Sequence, residues 1–215
     1  MAILATPTNP KQAIERLIEG NQRFTSGIRS VETMLGHTKV ADLAAQGQKP
    51  FAVILTCSDS RSPVEMIFDQ GLGDLFVVRV AGNVVAPSLL ASMEFAVANF
   101  GCQTIVVLGH TLCGAVNATV KHTIDPSTPL PSPHLEELVG RIRPAVKATE
   151  RSKHGKNPTH PDFLHAATLA NINRSKGLIL EQSRIIRELV EKGKLSLEGA
   201  ILDISNGKVT FNVQN

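Results

Sequence analysis

The chain has 215 residues, 42% hydrophobic and 19% charged, with a formal net charge of +3. That length suits one domain with a full core, and so small a charge makes no electrostatic case for a nucleic-acid partner. Trp and Tyr are absent, which removes most stacking surfaces of a single-strand binder, and no apolar run approaches the roughly 20 residues of a membrane-spanning helix.

Residues 10–24 place Ile14, Leu17, Ile18 and Phe24 at helical spacing behind Pro10, an amphipathic stripe suited to the chain's own core or to a second subunit. A short helix is expected over 39–46. Phe51 to Leu55 is an apolar run rich in β-branched residues, the pattern of a strand covered on both faces in a parallel sheet, and it ends in Cys57-Ser58-Asp59-Ser60-Arg61. Ser62-Pro63-Val64-Glu65 reads as a capping box opening a helix to about Gln70. Asp74 to Ala81 is the next strand, broken by Gly82 and Asn83. Pro87 or Ser88 then opens a helix with an apolar face of Leu90, Met93, Phe95, Ala96 and Phe100, ending at Gly101. Thr104 to Gly109 is another buried strand, running into His110-Thr111-Leu112-Cys113-Gly114. Strands and helices alternate as in right-handed βαβ crossovers.

A helix from about Cys113 to His122 leads to a proline-rich connector, Asp125 to Pro133, which excludes regular structure. Leu135 to Thr149 is helical with a kink or split at Pro144. Glu150 to Pro161 is a polar loop, and Asp162 to about Lys192 is a long helical pattern bending at Gly177. Leu195 to Ile204 is a strand, and Asn206-Gly207 signals a type I′ hairpin before Val209 to Val213. The expected fold is one α/β domain over 1–215 with a central, mostly parallel β-sheet flanked by helices. It divides into an N-terminal helical arm (1–47), a core carrying the candidate metal site (48–120), a loop-rich connector (121–161), and C-terminal helices with a β-hairpin (162–215).

Three cysteines cannot all pair and their spacing is not a disulfide framework, so a reducing, cytoplasmic setting is expected. The first residues carry neither a basic n-region nor an adequate h-region, which argues against secretion. Ligands of open α/β sheets sit beyond the carboxyl ends of neighbouring strands, so Cys57 and the His110/Cys113 pair can converge. These residues form a ligand set suited to zinc with one position left for water or substrate. The bland alternative is a buried thiol and a helix-capping histidine; strand-end placement favours the metal. Cys102 has no such neighbour and reads as a small buried hydrophobe. Two thiolates neutralise a divalent ion, so a bound water is acidified less than beside three imidazoles and activity should favour alkaline pH. Asp59 is close enough to be a conditional fourth ligand, and Arg61 can hold it away through a bidentate pair. The bland reading of that pair is an ordinary surface ion pair.

Cys57-Ser-Asp-Ser-Arg61 followed by His110-Thr-Leu-Cys113-Gly114 resembles the β-class carbonic anhydrases, over about Gln48 to Val116. The resemblance implies zinc on Cys57, His110 and Cys113, an Asp59/Arg61 dyad, and reversible hydration of CO₂ to bicarbonate by hydroxide generated at zinc. It implies a dimer or dimer-based tetramer with pockets at the subunit interface, and no nucleic acid or membrane partner. Gln48, Phe76, Phe95 and Gly114 match substrate-binding positions, although both Phe residues also suit plain core, and Phe95 stands where a tyrosine is frequent. Arg79 matches an arginine that pairs near the dyad in some members, and Asn83 suits a turn. A subgroup's inhibitory bicarbonate site uses a Trp three residues before the first Cys and a distant Tyr; this chain has Ile54 and no Tyr, so that site is expected to be absent. Hydrolysis of carbonyl sulfide or carbon disulfide on the same scaffold, and a non-catalytic zinc-stabilised assembly protein, are the alternative readings.

Overall fold

Five strands form one sheet, β1 (Ala52–Thr56), β2 (Leu75–Arg79), β3 (Thr104–His110), β4 (Ser196–Leu202) and β5 (Val209–Phe211), in the order β2-β1-β3-β4-β5. All neighbours are parallel except β5, which runs antiparallel to β4. The structure is a computed structural model that describes residues 6–30, 39–127, 129–150 and 161–213. Every residue of β1 and β3 is buried, as unbroken apolar runs require when helices cover both faces.

Strand alternation divides the core. Val53, Leu55, Ile105 and Val107 face a cluster with Leu90, Met93, Ala96 and Val97 of α4 (Pro87–Phe100) and Ile172 and Ile179 of α7 (Pro161–Gln182). Ala52, Ile54, Val106 and Leu108 face the opposite cluster, with Ala13 and Leu17 of α1 (Pro10–Thr25) and Val64 and Ile67 of α3 (Val64–Ile67). Each fully buried Val, Ile or Leu contributes about 1.5–3 kcal/mol by transfer from water, an upper bound set by the unfolded reference. The stripe of α1 therefore packs on the chain's own sheet, and Asn21 fastens it by donating to the Ile67 and Gly207 carbonyls and accepting from the Val209 amide. The short α2 (Val40–Gln46) forms where expected.

The remaining helices are α5 (Gly114–Ile124), α6 (Pro133–Glu150) and α8 (Arg184–Glu191). Several expectations are corrected. The capping box at Ser62 does not form: Pro63 is the N-cap, α3 stops at Ile67, and the Ser62 hydroxyl turns back to donate to the Asp59 carbonyl at 2.9 Å. Pro144 does not split α6, which runs through it for 18 residues. Buried Val139, Ile142, Ala145 and Val146 on both sides outweigh the lost backbone bond, a penalty of about 3 kcal/mol. The long C-terminal helical pattern breaks at Ser183 rather than Gly177, because Ser183 leaves the helical region and its hydroxyl caps α8 by accepting from the Ile186 amide. The β4–β5 connection is not a two-residue type I′ turn: Asn206 keeps a negative φ, and Gly207 alone takes the left-handed conformation, its amide donating to the Asp203 carbonyl at 2.8 Å. Residues 151–160, most of the expected polar loop, lie outside the described residues.

Candidate metal centre

Register sets the site. Thr56 at the end of β1 pairs with Leu108 of β3 and with Arg79 of β2, so three parallel strands deliver their carboxyl ends at one level. Cys57 is the first residue beyond β1 and His110 the last of β3. Leu112, 71% exposed with φ 56, then turns the chain in the left-handed region so that Cys113 returns as the N-cap of α5. A non-glycine there costs on the order of 1–3 kcal/mol, strain that the surrounding fold holds in place. The ligand atoms of Cys57, His110 and Cys113 all lie within 4.8 Å of one another, and each residue is at most 5% exposed. Val84, Val116, Val120, Ile142, Val146 and Phe163 pack around the two cysteines as a third apolar cluster.

These residues fit a soft divalent ion. His110 Nδ1 lies 2.8 Å from the Thr111 carbonyl, which can only accept, so Nδ1 carries the proton and Nε2 keeps its lone pair. Nε2 is buried and has no hydrogen-bond partner among the described residues. Two thiols this close compete for one proton: the contact with Cys113 holds Cys57 well below the ordinary thiol range, and the contact with Cys57, together with burial, pushes Cys113 up. A dication ligated by both sulfurs stabilises both thiolates at once. Gly82 adds an N–H to the Cys57 sulfur at 3.3 Å. It does so from φ 70 in the 3₁₀ turn Ala81–Asn83, where an added Cβ would come within 2.7 Å of Ile142 Cδ1. The turn is fixed from behind by Asn171, donating to the Gly82 carbonyl at 2.8 Å, and Ser175, donating to the Asn83 carbonyl at 3.0 Å.

Asp59 lies beside this triad, its Oδ2 3.9 Å from His110 Nε2. Arg61 holds it with Nε to Oδ1 at 2.9 Å, Nη2 to Oδ2 at 2.7 Å and its own amide to Oδ1 at 2.9 Å. That guanidinium keeps the carboxyl far below the usual carboxylate range. Among the described residues Arg79 makes no ion pair with a carboxylate. It donates to the Cys57 carbonyl at 3.2 Å and the Asp59 carbonyl at 2.7 Å, so β2 buttresses the loop that β1 ends in.

Of the other sequence-derived positions, Gln48, Phe76 and Phe95 do not gather here. Gln48 is exposed ahead of β1, at the opposite end of the strand from Cys57. Phe76 and Phe95 stack with Phe100, ring centroids 5.6–6.4 Å apart, and Phe95 is 52% exposed on α4. Gly114 directly follows Cys113 as the first residue of α5. Sequence reasoning took Gly82 only as a strand breaker and missed Asn171 and Ser175, which lie about ninety residues from the carbonyls they hold and carry no local signal.

Fold and site together define a class: a mostly parallel α/β domain whose strand ends present Cys, His and Cys to a metal beside an aspartate–arginine pair. Residues 52–209 match the family model described as carbonic anhydrase. Carbonic anhydrase 2 of Mycobacterium tuberculosis is 37% identical over 204 residues, covering 95% of this chain and 93% of that protein. The carbonic anhydrase of Mycolicibacterium smegmatis is 34% identical, covering 94% and 93%. The structure of the β-carbonic anhydrase CcaA superposes with a TM-score of 0.73 at 27% identity, covering 93% of this chain and 95% of that one. The chain belongs to the β-class carbonic anhydrase family.

Proposed function

We propose that this protein catalyses the reversible hydration of CO₂ to bicarbonate, with zinc held by Cys57, His110 and Cys113. The observation that carries the reading is the Asp59–Arg61 pair poised 3.9 Å from the orphaned His110 Nε2, because a purely structural metal needs neither residue. When bound, zinc supplies a Lewis acid that acidifies water for attack on the CO₂ carbon. The chain's own groups do the rest. Asp59, kept ionised by Arg61, is an acceptor that orients the attacking O–H and receives its hydrogen bond. Arg61 and Arg79 hold that carboxylate and its backbone in place, and the apolar shell of Val84, Val116 and Phe163 limits water around the sulfurs.

Gln48, Phe76 and Phe95 are assigned to substrate binding at a neighbouring subunit's centre. Their separation from their own chain's triad, with half of Phe95 exposed, supports a dimer-based assembly. Gly114 is assigned to substrate binding beside Cys113, which it follows directly in the chain. Three free cysteines and the absence, among the described residues, of any helix long and apolar enough to cross a membrane are in keeping with the cytoplasm. The test is CO₂ hydration and carbonyl sulfide hydrolysis measured side by side on one zinc-loaded preparation. Faster CO₂ turnover is expected; turnover of the sulfide alone would overturn the reading in favour of a hydrolase.

A further inference from the structure

The turn that donates to Cys57 backs onto a cavity of about 120 Å³, lined by Val84, Val85, Arg141, Arg174, Leu178 and Gln182, with Asn171 and Ser175 at its inner wall. Its electrostatics are unbalanced. Arg141 is occupied, donating to Glu137 through Nε and Nη2 and to the Val85 carbonyl through Nη1 at 2.8 Å. Arg174 is half-buried and its Nε fully so, yet that Nε–H has no acceptor among the described residues, and no carboxylate pairs with the guanidinium. A guanidinium cannot shed its charge, so leaving the buried Nε–H without a partner costs the desolvation of that group. The cavity has room for about four waters, or for one anion of three or four heavy atoms against valine and leucine walls.

We propose that this cavity is a second anion site, taking a small planar oxyanion of single charge, the class of bicarbonate and short carboxylates, on the fork of Arg174. Planar oxyanions match a guanidinium in bidentate geometry, and with Arg141 paired to Glu137 the charge facing the anion is that of Arg174. Occupation also reaches the metal centre. Asn171 and Ser175 line the cavity and hold the Gly82 and Asn83 carbonyls, while the Gly82 amide donates to Cys57 Sγ. A ligand that binds only the folded cavity therefore steadies the turn behind that sulfur. The site does not depend on which molecule is hydrated at the metal.

The experiment uses the zinc-loaded full chain, wild type and Arg174→Gln, with thermal unfolding titrated by sodium acetate and, separately, sodium bicarbonate at constant ionic strength. Anion binding at the metal is common to both proteins, so their difference reads the second site. In the wild type a rise of about 3–6 °C is expected with the anion tenfold above its dissociation constant, growing with the logarithm of concentration, and Arg174→Gln should lose it. A response to acetate assigns short carboxylates and a response to bicarbonate alone assigns the reaction product; equal rises in both proteins overturn the site. Without added anion the variant should unfold no earlier than wild type, since it sheds a buried N–H that has no acceptor among the described residues. A crystal grown with acetate should show the anion within hydrogen-bond distance of Arg174, and a carboxylate from another copy there would overturn the proposal. Zinc loss to the neutral chelator 1,10-phenanthroline should slow severalfold with the anion in wild type only; unchanged rates would overturn the link to Cys57.

Discussion

Three hydrogen bonds from Arg61 hold Asp59, and the proposed switch is its exchange between that arginine and a metal on Cys57, His110 and Cys113. Replacing Arg61 by Ala should leave zinc content unchanged while CO₂ hydration falls by on the order of 10²-fold, because the freed carboxylate turns to the metal. A crystal structure of that variant at alkaline pH decides it: a carboxylate on zinc is expected, and Asp59 turned away with solvent on the metal would sink the switch. Asp59→Ala should instead show a solvent ligand and be slow for want of the acceptor. Cys57→Ser should lose zinc and activity together, and full occupancy by metal analysis would refute the ligand assignment. Cys102 behaves differently from the ligand cysteines. Buried and donating to the Pro50 carbonyl, its thiol is pushed up to about 12 by desolvation. The unfolded chain ionises this thiol first, so the native state holds the extra proton above about pH 9 and stability falls as pH rises from there toward 12. Unfolding free energies between pH 9 and 11 should fall more steeply for wild type than for Cys102→Ala.

At the level of elements, the turn Ala81–Asn83 joins the sheet to the metal. Gly82 combines φ 70 with close approach to Ile142 and Ala115, so Gly82→Ala is strained in its backbone and crowded in its side chain. A loss of about 1–3 kcal/mol in urea unfolding is expected, with faster metal release because the amide facing Cys57 moves. Gly20 tests the other face. A Cβ there would lie 1.8 Å from the Phe68 carbonyl oxygen, so Gly20→Ala must shift α1 off the loop after α3, lowering stability while leaving the distant metal ligands in place. Metal content measured beside the unfolding midpoint separates the two variants: both fall in stability, and only Gly82→Ala releases its metal faster.

For the whole molecule, three of the four stripe residues of α1 serve the chain's own core, Leu17 buried and Ile14 and Phe24 packed against it, which weakens the stripe as a case for association. What remains is the displacement of Gln48, Phe76 and Phe95 from their own triad. If they complete a neighbour's site, activity requires assembly. Sedimentation at micromolar concentration should show no active species at the 23.1 kDa of one chain, and a fully active monomer would contradict the assignment.

Local patterns determined a good deal by themselves. Apolar runs buried on both faces identified β1 and β3, the Pro87 start and Gly101 stop bounded α4, and residue type with strand-end placement singled out Cys57, Asp59, Arg61, His110 and Cys113, because these signals lie within one element or its cap. The three-dimensional structure decided the rest, wherever alternative partners compete for one group. Ser62 left its capping box for the Asp59 carbonyl, α6 ran through Pro144 because its neighbours were already buried, and Ser183 broke the last helix by capping the next. Asn171, Ser175 and Arg174 came to lie behind Gly82 only once α7 had packed against the turn, and spacing along a helix says nothing about which carbonyl or cavity its side chains will meet.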